Sequence, residues 1–171
     1  MAPLVVLLVV FLATWLLARV TKSHTLTVNR AGRVAMCAML LFTGTSHFYL
    51  TKGMILMMPD FLPAKEAFVY GTGLLEILFG IGLLFESTRK LTSVLLILFL
   101  VAILPANIIA TIKQVDIPTA TYTGPGTSYL WFRIPLQLFF IGWVYYFGYS
   151  YPKRAAVANT QKPAPKPAAA V

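Results

Sequence analysis

Five apolar runs constrain this chain more than any other feature. They cover residues 1–17, 34–50, 67–85, 91–112 and a last stretch from near Tyr129 to near Tyr149. Each comes close to the roughly 20 helical residues needed to cross a hydrocarbon layer about 30 Å thick. A soluble fold of 171 residues has too little interior for a chain that is 58% hydrophobic and 11% charged. The surplus must face lipid. The expectation is therefore an all-α protein, a polytopic transmembrane helical bundle. Between the second and third runs lies 54–59, too short to span, which reads with Pro59 and Pro63 as an interfacial or re-entrant segment.

The formal net charge of +9 invites comparison with nucleic-acid binders. Its placement argues otherwise. Arg19, Lys22, Arg30 and Arg33 crowd the first gap, whereas Lys52, Asp60, Lys65 and Glu66 cancel in the second. Arg89 and Lys90 outweigh Glu86 in the third gap, Lys113 and Asp116 cancel in the fourth, and Lys153, Arg154, Lys162 and Lys166 make the tail basic. Positive loops belong on the cytoplasmic side, so five spans put the N-terminus outside and the C-terminus inside with every loop agreeing. The expected partners are the lipid bilayer and a membrane-protein partner or a second copy of the chain, not nucleic acid. The expected location is a bacterial inner membrane or its equivalent. The first run lacks the basic flank of a signal peptide and is read as a retained helix. The Lys/Pro/Ala-rich tail, 151–171, is expected to be disordered. The single cysteine, Cys37, belongs to no metal or redox pattern and reads as a small packing residue, and no metal site is expected.

Strongly polar side chains inside spanning runs are costly and need a partner or a purpose. Five stand out: His47, Glu76, Asn107, Arg133 and Gln137. The topology places all five in the outer half of the membrane, on four different helices, which points to a polar pocket opening outward. Glu76 and Arg133 make the obvious ion pair, His47 is the group poised near neutral pH, and Asn107 and Gln137 supply amide donors and acceptors. Each also has a plainer explanation. Arg133 can snorkel to the interface, His47 can be a structural histidine among Phe48 and Tyr49, and Asn107 can cap backbone freed by Pro105. Glu76 resists such an account best, lying farthest from water. Gly73 and Gly80 share a face of its helix and permit close helix approach.

The same residues carry a resemblance. Phe42-Thr-Gly44-Thr-Ser-His47-Phe48, Met58-Pro59-Asp-Phe-Leu62-Pro63, Gly73-Leu-Leu-Glu76-Ile-Leu-Phe-Gly80-Ile-Gly82, Pro105-Ala-Asn107-Ile108 and Trp131-Phe-Arg133-Ile-Pro135-Leu-Gln137 follow one another in order. In this order and spacing the chain resembles the DoxX-like family of small membrane proteins over about residues 32–148. The resemblance implies a four-helix membrane core over 32–150, preceded by an extra N-terminal transmembrane helix and basic loop over 1–31. Members are associated with membrane redox systems, such as a quinone-linked thiosulfate oxidoreductase subunit, while others are assembly or accessory proteins. Two functions follow as expectations. One is an accessory subunit of a membrane redox complex whose pocket takes a quinone or a small anion. The other is a non-catalytic scaffold or assembly factor. No flavin, haem or thiol motif is present, so the electron carrier in the first reading is the quinone or a partner's cofactor. A transporter is the weakest option, because no inverted repeat is visible.

Overall fold

The computed structural model describes residues 2–22, 27–59 and 62–150. The tail expected to be disordered, and Asp60 and Phe61 of the short segment, lie outside the described residues. Six α-helices account for most of what is described: α1 (Ala2–Val20), α2 (Val28–Tyr49), α3 (Thr51–Leu56), α4 (Lys65–Gly82), α5 (Arg89–Ile112) and α6 (Leu130–Val144). The fold is all-α, and among the described residues the only β pairing is an isolated bridge between Asp116 and Thr121.

Local chemistry sets the boundaries. The Thr27 hydroxyl accepts from the Arg30 amide at 3.3 Å, which caps the start of α2. Leu50 closes that helix, and the chain turns into the short α3. Ala64 takes a left-handed conformation immediately before α4, where two prolines precede the helix. A 3-10 turn, Thr127–Tyr129, leads into α6, and the backbone loosens into a π-helical turn over Tyr145–Ser150 at its far end. Pro105 and Pro135 sit within α5 and α6, and neither ends its helix.

Helices α2 and α4 form the closest pair, and glycines explain why. A Cβ on Gly44 would lie 2.8 Å from the Gly73 carbonyl, and one on Gly73 would lie 2.6 Å from the His47 Cβ. Only hydrogen fits at either position, so the two backbones meet there. Around this pair, Met36, Met39, Leu40, Leu83, Leu96, Leu100, Leu136 and Phe140 build one apolar core. Helix α1 packs on α2 and reaches α6, where Phe11 meets the Trp143 ring edge-on at 5.1 Å. The Trp143 indole in turn donates to the Gly32 carbonyl at 3.0 Å. The bundle thus has two ends. Tyr49, Lys65, Ile112 and Leu130 mark one; Val28, Gly82, Arg89 and the π-helical turn mark the other.

Two helices, α1 and α5, are long and apolar enough to cross a membrane. The others fall short for identifiable reasons. Helix α2 carries Arg30, Arg33 and His47, helix α4 carries Lys65, Glu66 and Glu76, and α6 proper stops at Val144. Large apolar side chains nevertheless cover the outside of the bundle, among them Leu74, Leu78 and Ile81 on α4, Leu98 and Val101 on α5, and Leu138 on α6.

Candidate functional site: a buried polar layer beside a cleft

Toward the Tyr49 end, four helices contribute polar side chains to the interior. Val69 is fully packed and offers its carbonyl to His47, whose Nδ1 lies 2.9 Å away. The carbonyl can only accept, so His47 Nδ1 carries the proton. Thr72 reinforces this arrangement. Its hydroxyl donates to the Phe68 and Val69 carbonyls and stands 3.3 Å from the same ring nitrogen.

With Nδ1 protonated, Nε2 faces the Glu76 carboxylate at 3.5 Å. A neutral imidazole and an ionised carboxylate would oppose two lone pairs at that contact. A proton shared by the pair, as imidazolium with carboxylate or imidazole with carboxylic acid, relieves that opposition. The pair sits largely out of solvent, with side-chain exposures of 15% and 10%.

Arg133 does not pair with Glu76 directly, contrary to the ion pair expected from the sequence. Its Nη2 donates to the Asn107 Oδ1 at 2.7 Å, and Glu76 acts on it only through space. The reason is positional. The His47 side chain fills the contact of Glu76 toward α2, while Arg133 on α6 meets its neighbour α5 first. Asn107 therefore serves Arg133 by its carbonyl oxygen rather than capping the backbone near Pro105. Gln137 lies one turn further along α6 and spends its amide on the Leu100 carbonyl at 2.7 Å. Of the five residues expected to form one pocket, the structure makes two contacting pairs and a helix tie.

Two polar atoms of this layer have no partner: Oε2 of Glu76 and Nδ2 of Asn107. Both residues are more than nine-tenths buried. One is an acceptor when ionised and the other is a donor, so the layer retains one unused site of each kind.

Glu76, Asn107 and Gln137 are buried and His47 and Arg133 partly so, and none of the five lines an open cavity. A cleft of about 520 Å³ lies beside them at the Tyr49 end. Its walls include Phe48 and Tyr70, Lys52 and Glu66, and backbone around Ile117. Phe48 and Tyr70 stack with ring centres 5.6 Å apart and planes 9° from parallel. They directly follow His47 and Val69 in sequence, while none of the five polar residues lines the cleft. Gly53 seats α3 against this loop, since a Cβ there would overlap the Ile117 carbonyl.

Sequence reasoning missed a second cluster at the Val28 end, where Arg33 and Arg89 read as loop charges. Both are buried, and both grip Glu86: Arg33 Nη2 at 2.6 Å and Arg89 Nη1 at 2.5 Å. The i,i+3 spacing of Glu86 and Arg89 is the sequence signal that was available. Partial burial pushes the Glu86 carboxyl up, but the Arg33 and Arg89 guanidiniums outweigh it and hold the group below the usual carboxylate range.

The family model for a domain of unknown function, DUF8561, matches residues 36–148. The chain belongs to the DUF8561 family. The match begins inside α2 and ends in the π-helical turn, so it takes in all five residues of the polar layer and Glu86–Arg89, while α1 and Arg33 fall outside it. No curated protein and no solved structure matches the chain.

Proposed function

We propose that this DUF8561 protein is a DoxX-like multi-pass membrane protein that serves a membrane redox complex as an accessory subunit, binding a quinone or a small anion next to the His47–Glu76 pair. The membrane reading rests on surface chemistry beyond α1 and α5. Exposed leucines, isoleucines and valines ring α4, α5 and α6, a surface that water would not tolerate at this extent. Their polar residues point inward, as expected when lipid surrounds a bundle. Five spans with an outside N-terminus put the Tyr49 end outward and the arginine cluster at the cytoplasmic face.

The observation that carries the ligand reading is the buried His47–Glu76 contact beside two polar atoms, Glu76 Oε2 and Asn107 Nδ2, that have no partner. A quinol hydroxyl can donate to Oε2 and accept from Nδ2, a quinone carbonyl can accept from Nδ2, and the Phe48–Tyr70 stack lies at the same end of the bundle. In this role His47 and Glu76 hold and pass the proton, while Arg133, oriented by Asn107, supplies fixed positive charge. When the partner complex passes two electrons to the quinone, two protons are taken up to form the quinol, and the His47–Glu76 pair supplies one of them.

The test is native mass spectrometry of the detergent-solubilised protein, with quinone titration of Glu76→Gln and His47→Ala. Bound quinone in wild type and weaker binding in both variants is the expected result. Wild-type binding in both variants refutes the ligand reading.

A second reading is favoured by a specific observation. The Arg133–Asn107 and Gln137–Leu100 bonds tie α5 to α6 without any ligand. As a scaffold or assembly factor, the protein uses the layer only to lock its helices. It then melts at the same temperature with and without quinone, and Arg133→Leu lowers stability and partner capture together.

A further inference from the structure

The cluster at the Val28 end has a charge imbalance. Arg33 and Arg89 retain only 4% and 7% exposure, yet share one carboxylate between them. Burying an uncompensated guanidinium is expensive, so the excess positive charge calls for a further anion.

The hydrogen bonds are as incomplete as the charges. Arg33 uses Nη2 on Glu86 and a long 3.4 Å contact from Nη1 to the Leu83 carbonyl, and its Nε has no partner. Arg89 uses Nη1 on Glu86, and its Nε is likewise unpartnered. Guanidinium groups bind carboxylate and phosphate oxygens through the same planar fork. Glu86 occupies that fork from the solvent side, with its side chain 58% exposed. A carboxylate so exposed can swing away, leaving two preorganised guanidiniums facing the surface.

We infer that Arg33 and Arg89 form a binding site for phosphate oxygens, with Glu86 as the internal anion that a phosphate displaces. The source is an anionic phospholipid headgroup; this clause rests on the membrane reading above, which puts the cluster at the cytoplasmic interface where such headgroups lie. Free phosphate shares the chemistry and is separated by experiment. The site is distinct from the His47–Glu76 layer, which belongs to the other end of the bundle.

The full-length protein in nonionic detergent is melted with added phosphatidylglycerol, phosphatidylcholine or inorganic phosphate, and flotation with phosphatidylcholine vesicles is scored in parallel. Phosphatidylglycerol raises the melting temperature by about 5 °C or more, and phosphatidylcholine does not. Arg33→Gln and Arg89→Gln lose the shift. Glu86→Gln, a substitution at a side chain 58% exposed, shows a larger shift than wild type because the competing carboxylate is gone. An equal shift with millimolar inorganic phosphate assigns the same site to free phosphate. No shift with either anion overturns the site, as does a phosphatidylglycerol shift that survives in both arginine variants, or a Glu86→Gln protein that gains nothing. Failure to float sinks the membrane reading alone, and the phosphate arm still decides the anion site.

Discussion

At one end of the bundle Arg133 leans on a neutral amide, Asn107, while at the other Arg33 and Arg89 share the carboxylate of Glu86. The carboxylate at the first end, Glu76, is 8% exposed and faces His47. Glu86 instead stands with most of its side chain in solvent. The difference lies in the carboxylates and not in the arginines: Arg33 and Arg89 are as buried as Glu76, and one exposed carboxylate between them leaves positive charge uncompensated. Both ends retain buried polar atoms without a partner, Glu76 Oε2 and Asn107 Nδ2 at the first and the Nε atoms of Arg33 and Arg89 at the second.

The largest effect expected from breaking this contrast is at the α2–α4 contact that holds His47 against Glu76. Gly73→Val places methyl groups where the His47 Cβ and the Gly44 carbonyl already leave no room. Overpacking of this kind costs about 3 kcal/mol, and here it also parts the His47–Glu76 pair. Gly71→Val is the internal control, since a Cβ there meets nothing within 4 Å. Thermal melting of the two variants in the same detergent checks the difference. Equal losses would show that the glycines matter through backbone freedom rather than close approach.

A middle-sized effect is expected at Arg133. Arg133→Leu removes the partner of Asn107 Oδ1 and leaves that amide without any bond from the layer, at a cost of about 1–3 kcal/mol. Adding Asn107→Leu should recover a large part of the loss, because the stranded amide is then gone. The double-mutant cycle, read by melting, measures the coupling directly. Additive losses would mean that the 2.7 Å contact does not stabilise the bundle. Glu76→Gln offers the complementary comparison. It keeps shape, cannot ionise, and should leave the melting temperature nearly unchanged.

How much of this was readable beforehand differs between the two ends. Long apolar runs announce the five longer helices and their order by length and composition, whereas the short α3 is not among them. Glu76, Arg133 and Asn107 announce themselves because polar residues inside such runs are rare. Which of them meet is another matter. The Glu76–Arg133 pair expected from charge alone loses to His47, because Gly44 and Gly73 draw α2 onto α4 and Val69 orients the imidazole. Neither constraint has a signature in charge or hydropathy. Arg33 and Arg89 escaped notice for the opposite reason. They lie at helix ends, where a basic residue is ordinarily solvated, and only the packing reveals that both are buried.

The smallest effect sharpens the contrast from the exposed side. The folded Glu86 carboxyl titrates below its ordinary value near 4.5, since Arg33 and Arg89 favour the charged form over the cost of partial burial. A depressed carboxylate contributes stability that is complete above the unfolded value and disappears as pH falls through the folded one. The loss therefore begins below about pH 4.5 and is absent at neutral pH. Because the side chain is more than half exposed, its size should stay below about 1 kcal/mol. Melting curves of wild type and Glu86→Gln, taken from pH 6 down to pH 3, should converge as the wild-type carboxylate protonates. If they stay parallel through that range, Glu86 is not ionised against its arginines. The excess charge at the Val28 end would then be larger still.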